Sequence, residues 1–84
     1  MQRVRTTFEF VGENRSITAL SKAITFVVPS TGNPCRVNGF PINAGDSLEI
    51  SLDEDDLDVT NYDVFFDSGT GSDELYVIRV IRVD

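Results

Sequence analysis

Eighty-four residues with a formal charge of −7 make one small domain, whose folding withdraws only about 60 to 65% of the unfolded chain's surface from water. One cysteine and no histidine exclude an internal disulfide, a finger-type zinc site and a Cys/His nucleophile. No apolar run approaches the ~18 residues of a membrane span and no secretory signal opens the chain, so a cytosolic product is expected, or one that leaves the cell by another route.

In chain order, Arg3 to Val11 alternates Val4, Thr6, Phe8 and Phe10 with Arg5, Thr7 and Glu9, the period of a half-buried strand. Phe8 and Phe10 are therefore expected in the core with Phe26 and Phe66. Ser16 to Lys22 reads as a short strand and turn. Ala23 to Val28 is a β-branched and aromatic strand, stopped by the turn formers Pro29, Ser30, Thr31, Gly32, Asn33 and Pro34. Cys35 is read as a small buried apolar residue. Arg36-Val37 enters Asn38-Gly39, a pair that takes positive φ readily, and Phe40-Pro41-Ile42 leaves it. This is a tight hairpin or bulged corner, with Pro41 at a sheet edge. After Ala44-Gly45-Asp46 the stretch Ser47 to Leu52 alternates, with Leu48, Ile50 and Leu52 inward.

Asp53, Glu54, Asp55, Asp56 and Asp58, interrupted by Leu57, are expected in a solvated loop, because crowded carboxylates repel and avoid burial. Tyr62, Val64 and Phe66 alternate with Asp63, Phe65 and Asp67. The stretch Ser68 to Asp73 then reads as a flexible connection to Leu75 to Val83, and these last two strands are expected to pair antiparallel. The final strand is apolar on both faces, Leu75, Val77, Ile81 and Val83 on one and Tyr76, Ile78 and Val80 on the other. It is therefore central, or its second face is covered by another subunit. Six to seven short strands between regular turn signals indicate an all-β fold, a small antiparallel β-sandwich or barrel, as one domain over residues 1–84.

The stretch Cys35 to Ile50 (CRVNGFPINAGDSLEI), with Val59 to Phe66 (VTNYDVFF) and the closing strand Leu75 to Val80 (LYVIRV), resembles small all-β structural modules of tailed bacteriophage virions. These are capsid decoration proteins and the β-sandwich modules of fibres and tail components. The likeness covers roughly the second half of the chain and rests on a strand, an Asn-Gly corner, a proline and a Gly-Asp-Ser turn before two further strands. It implies a non-enzymatic virion structural protein present in many copies, with no catalytic residue and no cofactor.

The residues themselves point the same way. Val37 to Ile78 carries eleven carboxylates and neither lysine nor arginine, while both flanks are net positive. Such segregation suits protein neighbours of opposite charge and disfavours phosphates, so protein partners are expected in place of nucleic acid or membrane; the resemblance implies that these are copies of the chain itself or a capsid or other virion protein. Arg3, Arg5, Arg79 and Arg82 would supply cations, and Asp53, Glu54, Asp55, Asp56 and Asp58 the anions. Phe40 and Phe65 would supply apolar anchors. The acidic stretches fit no calcium-loop spacing: Leu57 stands where the register of an EF-hand needs a ligand, and Gly69 and Gly71 interrupt the Asp67 to Asp73 stretch. No metal ligand is assigned. The alternative is a recognition module for a cell-surface glycan or receptor, working through loops at one end and a groove lined by Tyr62 or Tyr76.

Overall fold

The computed structural model describes residues 3–52 and 56–83. Alternating side chains and frequent turns give, among these residues, eight strands and no helix: β1 Val4–Val11, β2 Arg15–Thr18, β3 Ala23–Val27, β4 Cys35–Val37, β5 Phe40–Ile42, β6 Ser47–Ser51, β7 Asn61–Phe66 and β8 Leu75–Arg82. They form two four-stranded antiparallel sheets, ordered β1-β8-β3-β6 and β2-β7-β4-β5. The sequence suggests six or seven strands in one sandwich or barrel. The eighth arises because Asn38 (φ 50°) and Gly39 (φ 83°) reverse the chain within two residues, which divides the corner into the separate strands β4 and β5.

That hairpin is the one chain-consecutive pair of named strands that hydrogen-bonds to itself; every other connection crosses between the sheets. The expected pairing of the last two strands is thereby overturned. β7 lies between β2 and β4, and β8 between β1 and β3. The physical reason is the core. Tyr62, Val64 and Phe66 of β7 and Leu75 and Val77 of β8 are all buried, and they cover the same interior only from opposite sides. The rings of Phe26 (β3) and Tyr62 (β7) meet edge to face across that interior, with centroids 5.2 Å apart.

The connection between β7 and β8 is also more fixed than its composition suggests. Asn33, buried in the loop after β3, donates through Nδ2 to Asp73 Oδ1 (2.9 Å) and accepts from the Gly71 amide at Oδ1 (2.8 Å). Its own amide donates to the Ser72 carbonyl (2.8 Å). The two loops are thus stitched together at one end of the molecule. No helix among the described residues is long and apolar enough to cross a membrane.

Candidate functional site

The alternation of β1 leaves two choices of face, and the fold takes the one that hydrophobicity disfavours. Val11 is buried, but Phe8 is 76% exposed, Phe10 53% and Val4 52%, so Phe8 and Phe10 are surface residues and not the core residues the periodicity suggests. The opposite face of β1, with Thr7 and Glu9, turns toward the second sheet. What holds it there is polar. Arg79 of β8, paired in register with Thr7, donates from Nη1 to Glu9 Oε1 (2.7 Å) and from Nε and Nη2 to the Thr18 carbonyl (3.1 and 2.9 Å). Arg15 binds the other Glu9 oxygen. Since Arg15 and Thr18 belong to β2, this cluster ties one sheet to the other. The Arg79 hydrogen bond is the main reason the Glu9 carboxyl sits below its ordinary pKa of 4.5, with Arg15 adding to it against partial burial.

With β1 turned this way, its apolar face joins those of its neighbours. Register places Phe8 beside Ile78 and Thr25, and Phe10 beside Tyr76 and Val27. Phe10 and Tyr76 pack at 5.4 Å between centroids, and a shallow groove of about 450 Å³ runs between Phe8, Phe10, Val27, Tyr76 and Ile78, with Glu9 at its border. Three adjacent strands therefore present a nearly charge-free outer surface. Contiguous exposed apolar surface of this kind marks a contact site. The both-sided apolarity of β8 is explained in part, since it is a central strand, yet its outer face lies open.

The cations expected at an interface do not form one strip, although β1 and β8 are neighbours. Arg5 and Arg79 share the inward-turned face, and Arg82 lies opposite Val4 on the outer one. Arg3 precedes β1, where its carbonyl accepts the Val83 amide (3.0 Å). Arg79 is removed from the set of contact cations, because its side chain is 16% exposed and committed to Glu9 and Thr18. Of the expected anions, Asp53, Glu54 and Asp55 lie outside the described residues, and Asp56 is exposed.

Asp58 is a correction: it is buried, not solvated. It accepts the Tyr62 hydroxyl (2.6 Å) and the Thr60 amide (2.9 Å), and its backbone pairs with Ser21. Burial alone would raise its pKa. The hydrogen bonds from the Thr60 side chain, the Tyr62 hydroxyl and the Thr60 amide outweigh burial and hold it below the ordinary 3.8. Tyr62 is shifted upward by its burial and by the same bond, so neither group is free to take part in recognition.

Phe65 and Phe40 are both exposed on the second sheet. Phe65 pairs in register with Arg36, whose Nε lies 3.4 Å from Asp67 Oδ2, so an ion pair flanks that ring. Phe40 ends the β4–β5 hairpin opposite Val37. Neither joins the aromatic face of the first sheet. Cys35 is wholly buried, and burial, helped by the Asp67 charge, pushes its thiol up to about 11.

At the loop end, Ser30, Thr31, Asn33, Ser68 and Thr70 line a polar groove of about 560 Å³. Tyr62 and Tyr76 are not among its walls. Among the described residues no group of three or more His, Cys, Asp or Glu side chains is placed to hold a metal ion. The chain matches no protein-family model, no curated protein and no solved structure.

Proposed function

We propose that this protein is a non-enzymatic structural module of a multi-copy assembly, a capsid decoration or auxiliary protein of a tailed-phage virion that acts through protein–protein contacts. The observation that carries the reading is the inverted β1, which shows its two phenylalanines to solvent while its Glu9 is enclosed by arginines. A sequence that spends its local hydrophobic pattern on the outside of a sheet violates the rule that folds a lone domain, and such violations collect at functional surfaces. The sequence likeness to phage modules supplies the biological setting.

The second reading, recognition of a cell-surface glycan or receptor, would use the polar groove between the loops at Ser30 to Asn33 and Ser68 to Gly71. Sizing the purified chain over a concentration series, beside a glycan array, separates the two. Concentration-dependent assembly with no glycan signal is the expected result. A strict monomer that binds a glycan would overturn the structural reading.

A further inference from the structure

The geometry points to a specific occupant of the open sheet face: a second copy of this chain, stacked face to face with its strands antiparallel to the first. This rests on the multi-copy reading and names the contact within it. The central strand carries the argument. Its outward positions run Tyr76, Ile78, Val80 and Arg82, and Glu74 precedes the strand in the same alternation, so that an acid and a base stand symmetric in spacing about Ile78. The Glu74 carboxylate accepts the Thr31 hydroxyl (3.2 Å) and Arg82 is also engaged within its own chain, contacts that the pairing between copies adds to or exchanges.

A twofold axis along the row that joins Phe8, Ile78 and Thr25 places each strand over its own copy in reverse direction. Glu74 of one copy then faces Arg82 of the other, and Arg82 faces Glu74. Large residues oppose small ones on all three strands: Tyr76 against Val80, Phe10 against Thr6, and Val27 against Ala23, the alternation that lets two sheets interdigitate about 10 Å apart. The other way to stack two copies of this face, with the axis along the strands, sets Glu74 on Glu74 and Arg82 on Arg82. Like charges disfavour it.

The aromatic rings supply nearly half of the area a stable contact needs. At 76%, 53% and 45% exposure, Phe8, Phe10 and Tyr76 alone leave roughly 350 Å² open, taking about 200 Å² for each ring side chain, against the ~800 Å² per partner of a standard interface. The surrounding aliphatic and threonine side chains extend the patch. Glu49 of β6 ends the axial row beside Thr25 and meets its own copy at the solvent-open rim, so Glu49→Gln tightens the pair.

Sedimentation equilibrium and cross-linking on the intact chain test the arrangement. Phe8→Asp is expected to weaken association by at least about 100-fold, as for loss of a central aromatic anchor, with an unchanged circular dichroism spectrum. Glu74→Arg and Arg82→Glu each weaken it about fivefold or more, the scale of an exposed charge pair turned repulsive, and the double exchange Glu74→Arg/Arg82→Glu restores it. A short bis-maleimide joins copies carrying Ile78→Cys, on the axis, because buried Cys35 stays out of reach. It fails with Val4→Cys, which sits four residues from the axis and so roughly 27 Å from its own copy at ~3.4 Å per residue. Cross-linking through Val4→Cys as efficient as through Ile78→Cys, or no recovery in the double exchange, overturns the antiparallel stack. If the chain assembles and Phe8→Asp changes nothing, this contact is wrong and the multi-copy reading stands. A strict monomer that binds a glycan removes both.

Discussion

Phe26 and Phe8 are the same side chain in the same sheet, and the contrast between them is the sharpest statement of how burial assigns roles. Phe26 is fully buried and touches Tyr62 across the sheets, while Phe8 is 76% exposed. In the monomer, Phe26→Ala should cost about 3 to 5 kcal/mol, the transfer term plus a cavity. Phe8→Ala should change monomer stability by no more than about 0.5 kcal/mol. Urea unfolding at a concentration that keeps the chain monomeric measures both. Asp58 is the polar counterpart. Asp58→Asn removes the charge that the Tyr62 hydroxyl, the Thr60 amide and the Thr60 side chain all bind, and leaves a single acceptor oxygen in place of two, so at least one of these bonds is lost or must reverse its direction. A loss of about 1.5 to 3 kcal/mol is expected, as for a hydrogen bond to a charged group. Ser21 behaves in the opposite sense: its hydroxyl is fully buried and has no partner among the described residues, so Ser21→Ala should leave the melting temperature unchanged or raise it.

At the scale of elements, the loop between β7 and β8 shows how composition misleads. Gly69 and Gly71 read as flexibility, but a Cβ on Gly71 would lie 2.4 Å from the Thr31 carbonyl oxygen. The glycine permits two backbones to touch, which is a packing role. Gly71→Ala should therefore destabilise by about 1 to 3 kcal/mol through overpacking, checked by thermal melting. Gly39→Ala would meet no neighbouring atom and be opposed only by its φ of 83°. The cluster of Arg79, Glu9 and Arg15 likewise belongs to no single element. It takes one residue from each of β8, β1 and β2, and it is what makes the polar face of β1 the tolerable face to turn inward.

For the molecule as a whole, two carboxylates among the described residues tie stability to acid. Glu9 and Asp58 both have folded-state pKa values below their ordinary 4.5 and 3.8, so each contributes stability that is complete above those ordinary values. That contribution falls as pH drops through the lower, folded values. The free energy of unfolding should thus be level from neutral pH to about 5 and decline below about 4.5, and in Asp58→Asn the decline should be shallower. Denaturant titrations at pH 7, 5, 4 and 3 check the sign. A molecule with extents of 46 × 19 × 17 Å also has much surface for its volume, so the proposed second copy on one sheet face would add burial that a chain of this size lacks.

Period-two alternation in nearly every segment, the Asn38-Gly39 reversal and the proline-rich break after Val28 decided that this chain would be all-β and where most strands would lie. Those are local properties, set by backbone sterics and by which side chains repeat. The sequence also marked β8 as apolar on both sides, and so as central or covered. It did not decide that β7 and β8 belong to different sheets, because pairing depends on which faces converge on one interior. Nor did it decide which face of β1 is inside. Alternation is symmetric under inversion, and the choice was made by Arg79, 70 residues away, closing on Glu9 together with the nearby Arg15 of the other sheet. The candidate surface follows from that one choice, so only the assembled tertiary structure could reveal it.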